Sequence, residues 1–184
     1  MFNLLEDKDG SLWKNYMPDL KLGKNNFFSI FVFIIFIFLI DRISKILIIK
    51  KSQEMMGGQI FSSKFINFEL VWNKGIAFGL FSSDGGILYQ LISLLIIFII
   101  MVLIYFIVKS KGLEKLGFTL ILGGALGNLY DRIFYKAVPD FIDLHINDFH
   151  WFIFNIADIF ITIGVLCLIL VEIFFKSLLI LFFL

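Results

Sequence analysis

Three aspartates, Asp131, Asp140 and Asp158, stand in or beside long apolar runs, within the segments GGALGNLYDRIF (123–134), VPDFID (138–143) and FNIAD (154–158). Placing a carboxylate at the centre of a bilayer costs roughly 2.5 to 3.5 kcal/mol on insertion scales, so acids at such depth face a bundle interior and are functional candidates by default. Two carboxyls that meet there have a defined chemistry. The ionised one draws a proton from water while the protonated one donates to a carbonyl oxygen. Like charges that close cannot both ionise, and burial favours the neutral form further. The two titrate as a unit, so the residues alone leave open which acid is the general base. On a helix, Asn128, Asp131 and Arg132 fall at i, i+3 and i+4 on one face, and Asn155, Asp158 and Thr162 do the same on the next apolar helix.

Other chemistries find little support. Ser44 and Lys45 are adjacent, and helical neighbours at i and i+1 do not face each other, which argues against a nucleophile and base pair. Cys167 is the one cysteine and lies in an apolar run, where it reads as a packing residue. There is no HExxH segment, and His145 and His150 read as surface loop residues, so neither a metal nor a cofactor is expected. A formal charge of +1 argues against a nucleic-acid partner.

The elements that must hold these groups lie in a membrane. Hydrophobic residues make up 60% of the 184-residue chain, against about 45 to 50% in soluble domains, and the mean hydropathy is +0.96. Four apolar runs predict four transmembrane helices, at about 27–49, 87–108, 116–134 and 151–175, each near the ~20 residues a bilayer needs. Asp41 and Lys45 form an acid-first i, i+4 pair in the first. Gly123 and Gly127 at four-residue spacing let the third approach a neighbour closely. Between the first two runs, Ile66 to Leu70 alternates with period two and Ile76 to Phe81 returns after the Asn73-Lys74-Gly75 turn. This predicts a small extracytoplasmic β element at about 59–82, with Trp72 at the interface. Residues 136–150 read as a polar loop in which Asp143 is solvated, and Asp131 reads as paired with Arg132.

Residues 1–26 read as a cytoplasmic tail or interfacial helix, 27–176 as the membrane domain, and 177–184 as an apolar tail too short to cross again. No cleavable signal peptide is expected, because the first run leads into Asp41-Arg42 without a small-residue cleavage site. The lysine-dense connection from Lys109 to Lys115 orients both termini to the cytoplasm. The alternative class is a small proton or ion transporter, in which intramembrane acids relay charge. Such a pathway needs polar residues on the inner half too, and the second run lacks them there.

In their order the motifs resemble the signal peptidase II family, the lipoprotein signal peptidases of bacteria. The resemblance rests on Asp41 and Lys45 in the first run, Asn73 to Phe78 as Asn-x-Gly-x-Ala-Phe, and Gly127 to Arg132 as Gly-Asn-x-x-Asp-Arg. It is completed by Val138 to Phe141 as Val-x-Asp-Phe and Phe154 to Asp158 as Phe-Asn-x-Ala-Asp. It covers most of the chain after residue 26, with Arg42 where the family usually has Gln and a longer N-terminal tail. The resemblance implies a catalytic pair of Asp140 and Asp158, with Asn73, Asn128, Asp131, Arg132, Asn155, Asp41 and Lys45 supporting it. It also implies diacylglyceryl-modified prolipoproteins as substrates, cut just before the lipidated Cys, and inhibition by globomycin. The expected setting is the bacterial inner membrane, as a monomer among lipids, with the site near the outer face.

Overall fold

The computed structural model describes residues 26–75 and 87–173. In chain order these form helix α1 (Asn26–Glu54), strands β1 (Phe61–Ser62) and β2 (Ile66–Asn73), helices α2 (Ile87–Lys109) and α3 (Gly112–Tyr135), strands β3 (Val138–Ile146) and β4 (Phe149–Phe154), and helix α4 (Ile156–Leu170). The expected N-terminal tail, the returning strand at 76–81, the turn that follows it and the apolar C-terminal tail lie outside the described residues.

Polarity is inverted relative to a soluble protein. Phe28, Phe31, Leu94, Phe98 and Leu166 are exposed on the helices' outer faces, whereas Asp41, Lys45 and Asp131 are 0% exposed. In water this arrangement would leave most of the apolar surface unburied, and in lipid it is the favourable one. Among the described residues, two helices are long and apolar enough to cross a membrane, Tyr89–Lys109 and Ile156–Ile173.

Small residues set how closely the helices approach. A β-carbon at Gly123 would lie 2.9 Å from the Ile37 side chain of α1, and one at Gly127 would lie 2.6 Å from Asp41 Oδ2. The expected Gly-xxx-Gly contact therefore exists, and its partner is the polar half of α1. Gly164 does the same between α4 and α3, where an added β-carbon would come within 2.6 Å of Ile121. On the other side of α3, Ile100, Leu103 and Ile107 of α2 pack against Leu122 and Ala125.

The β element differs from the one expected. It is a four-stranded antiparallel sheet in the order β1-β2-β3-β4, and two of its strands come from the segment between the third and fourth helices. The stretch read as a polar loop is thus a hairpin, and Trp151 to Phe154 belong to β4 instead of the fourth helix. The mixed pattern VPDFIDLHINDFHWFIF hid this, because β3 is buried on both faces at its start and shows no alternation there. Asp140 and Asp143 differ by an odd number of positions on β3, so their side chains emerge on opposite faces. A bulge in the β2–β3 pairing between Phe68 and Val71 sets Val71 opposite Asp140 and Asn73 opposite Val138.

Candidate active site

Helix α4 begins with a capping box. The Asn155 side-chain oxygen accepts from the Asp158 N–H at 3.1 Å, and the Asn155 N–H donates to Asp158 Oδ2 at 3.2 Å. This reciprocal pair satisfies donors that a helix start leaves open. It also locks Asp158 at the mouth of the bundle. The same Asn155 reaches the sheet, donating from Nδ2 to Asp140 Oδ1 at 2.6 Å. One residue therefore touches both carboxyls that the motifs single out, Asn155 reaching Asp140 through its side-chain amide and Asp158 through its backbone N–H.

Each acid has a second amide donor. Asn128 on α3 donates to Asp158 Oδ1 at 2.8 Å, and Asn73 at the end of β2 donates to Asp140 Oδ2 at 2.9 Å. Asn73 serves the turn as well, its oxygen accepting from the Gly75 N–H at 2.9 Å. Burial, and next the negative charge of Asp158, push the Asp140 carboxyl up to about 6, opposed by the Asn73 and Asn155 amides and by the charge of Lys45. Asp140 is only 3% exposed.

Behind the pair lies a buried ionic core. Lys45 Nζ donates to Asp41 Oδ2 at 2.9 Å, Asp131 Oδ2 at 2.7 Å and Asn128 Oδ1 at 3.0 Å, which uses all three ammonium protons. Asp41 turns its other oxygen to the Ala157 N–H at 3.0 Å, tying α1 to the first turn of α4. Arg42 pairs with Asp131, lies 3.3 Å from Asp41 Oδ2 and stacks over the Tyr130 ring at 4.7 Å. Arg132 points elsewhere. It donates to the Gly75 carbonyl at 2.8 Å and the Asn128 carbonyl at 3.3 Å, and Tyr89 caps its own carbonyl at 2.8 Å.

The structure brings together every site residue expected from the sequence and revises three roles. Asp131 is held by Lys45 and Arg42 and not by Arg132, since side chains at i and i+1 on a helix diverge. Asp143 is buried, not solvated, and accepts from Asn67 at 3.2 Å while lying 2.7 Å from His150 Nδ1. His150 is thus a partner of Asp143, although it remains largely exposed. The sequence reading gives neither Arg42, noted only where the family usually has Gln, nor Tyr89 a part in the site. Arg42 sits on the Asp41 and Lys45 face's edge, where an unpaired guanidinium in an apolar run was itself a signal. Among the described residues, no group of three or more His, Cys, Asp or Glu side chains is arranged to hold a metal ion.

If Asn73 acts on Asp140 as well as on its turn, Asn73→Ala should cost more than the turn alone. We expect turnover to fall about tenfold or more, the worth of one hydrogen bond to a charged group, with expression and thermal stability close to wild type. Steady-state kinetics beside a melting curve checks both halves.

A helical bundle that buries a cluster of charges, exposes many of its phenylalanines and gathers two acids under a sheet at one end defines a membrane protein with a polar chamber. Residues 33–175 match the family Signal peptidase (SPase) II. The chain is 52% identical over 157 residues to a lipoprotein signal peptidase of Pelagibacter ubique, covering 85% of this chain and 95% of that one. It is 43% identical over 136 residues to the lipoprotein signal peptidase of Anaplasma phagocytophilum, covering 72% and 84%. Two solved structures, each described as a bacterial membrane enzyme, superpose with TM-scores of 0.68 and 0.64 at 28% and 30% identity. They cover 81% and 77% of this chain and 89% and 90% of their own. The chain belongs to the signal peptidase II family. It is a peptidase, and the transporter alternative gives way to that membership.

Proposed function

We propose that this peptidase removes the signal peptide from diacylglyceryl-modified prolipoproteins just before the lipidated Cys, with Asp140 and Asp158 activating the water. The observation that carries the reading is that Asn155 donates to both acids, from its side-chain amide to Asp140 and from its backbone N–H to Asp158, with Asn128 and Asn73 supporting them from α3 and β2. One carboxylate takes a proton from water as its oxygen attacks the scissile carbonyl carbon. The other gives its proton to the carbonyl oxygen, forming a neutral gem-diol. The first acid then returns its proton to the amine nitrogen while the second, now ionised, takes one from a gem-diol hydroxyl, so that the C–N bond breaks to a carboxylic acid and an amine and the pair is restored. Charge balance agrees with one shared proton. Asp41, Asp131, Asp140 and Asp158 are four carboxyls facing three cations, Arg42, Lys45 and Arg132.

In this reading the chain crosses the inner membrane four times with both termini in the cytoplasm, works as a monomer, and opens its site near the outer surface, where a signal helix and its lipid enter sideways. Purified protein should release the signal peptide from a diacylglyceryl-modified precursor, leave the unlipidated precursor uncut, and be blocked by globomycin. Cleavage of both precursors at equal rates would remove the lipid requirement. The topology has its own test. In a Cys167→Ala background, single cysteines at the exposed positions Ser63 and Asn147 should react with an impermeant thiol reagent from outside, and one at exposed Lys111 should not. Labelling at Lys111 from outside would reverse the orientation.

A further inference from the structure

A groove of about 380 Å³ runs along α4 beside strands β3 and β4, and the reading above leaves it without a use. Its walls are Leu144 of β3, Phe152 and Phe154 of β4, and Thr162 and Ile163 of α4, with Asp158 at its polar end. We propose that this groove receives one acyl chain of the lipid-modified substrate, an assignment that rests on the proposed activity and refines it.

The chemistry of the lining selects the occupant. An extended peptide brings an N–H and a C=O with every residue, and each needs a partner when buried. Beyond Asp158 the groove presents almost no polar surface, Thr162 supplying the one side-chain hydroxyl among its lining residues. A hydrocarbon chain has no such requirement. Size limits the number of chains. A water-sized group takes ~30 Å³ of liquid volume, and a methylene is close to that, so the space suits on the order of a dozen carbons, one chain and not two.

The groove also faces lipid, which decides what it can contribute. Lipid tails are as apolar as the groove walls, so a chain that leaves the bilayer for the groove gains little hydrophobic free energy. It gains position. A chain held along α4 fixes the depth of the attached Cys relative to Asp158, which lies at the start of the same helix. Placement of a reacting bond acts on turnover more than on binding. Sensitivity to acyl length should therefore sit in kcat.

The test fills the groove at positions outside the catalytic machinery. Thr162→Phe and Ile163→Trp are assayed beside wild type in vesicles, on precursors with long acyl chains and on precursors whose chains are too short to enter. Both variants should lower kcat for the long-chain precursor tenfold or more, leave KM within about twofold, and leave the short-chain precursor unchanged. Wild type should cut the long-chain precursor faster. An equal loss on both precursors, or no loss on either, overturns the assignment. So does a change in preference among residues preceding the Cys with no change in acyl preference, which would give the groove to the peptide. Wild-type turnover in the same vesicles keeps the two claims apart: failure of the proposed activity appears as no cleavage of any precursor, and failure of the groove as cleavage whose long-to-short ratio the fillers do not alter.

Discussion

Asp140→Asn and Asp158→Asn should each lower cleavage about a thousandfold or more, the upper range for losing a positioned acid or base, while the protein still inserts and folds. Asparagine keeps the shape of the side chain and cannot exchange the proton. At position 140 two effects oppose each other: an asparagine NH2 would face one of the two amide donors, Asn73 or Asn155, and a buried carboxyl that resists ionisation would be gone. The Asp140 carboxyl is pushed up to about 6, above the ~3.9 of an unfolded aspartate, so the native state favours the protonated form. As pH rises from about 4 through 6, wild type should lose up to about 3 kcal/mol of stability that a never-ionising side chain does not lose. The Asp140→Asn melting temperature should therefore gain on wild type as pH rises from about 4 to 7, and at about pH 4 it should lie below wild type by the lost hydrogen bond. Asp143→Asn is the control: Asp143 lies on the other face of β3 with Asn67 and His150, and its loss should leave turnover near wild type. Near wild-type cleavage by Asp140→Asn or Asp158→Asn would end the assignment of the pair.

Lys45→Met should cost 3 to 5 kcal/mol, the range for removing one partner of a buried ion pair. The change leaves Asp41 and Asp131 facing each other with only Arg42 between them, and removes a donor from Asn128. A typical domain has about 5 to 15 kcal/mol to lose, so the variant should accumulate poorly and unfold at much lower temperature. The double variant Lys45→Met with Asp131→Asn should recover part of the loss, because one stranded carboxylate is neutralised. Lys45→Arg should not substitute fully, since a planar fork does not reproduce three divergent ammonium bonds. Melting curves of the set measure the coupling. Wild-type stability in Lys45→Met would show that the cluster is not held by this ammonium.

The four helical regions and most of the chamber were legible in the chain. Long apolar runs mark helices in lipid because no other backbone can satisfy its own polar groups there, and charged residues inside such runs stand out by their cost. Asp41, Lys45, Asp131 and Asp158 stood out in that way and Asn128 and Asn155 by their helical spacing to such acids, while the family resemblance assigned these residues, Asn73 and Asp140 to one site. Their pairing was not legible. Lys45 lies four residues from Asp41, which spacing reveals, but 86 residues from Asp131, and only close α1–α3 packing at Gly123 and Gly127 brings the ammonium to both. The sheet was the larger surprise. A strand buried on both faces loses its period-two signature, so β3 read as loop and Asp143 as solvated. Tertiary structure decided these points because strand partners are chosen across sequence distance: β2 reaches over two helices to pair with β3, and that register carries Asn73 to Asp140. Residue types announced which groups could do chemistry, and the packing of α1, α3, α4 and the sheet decided which of them meet.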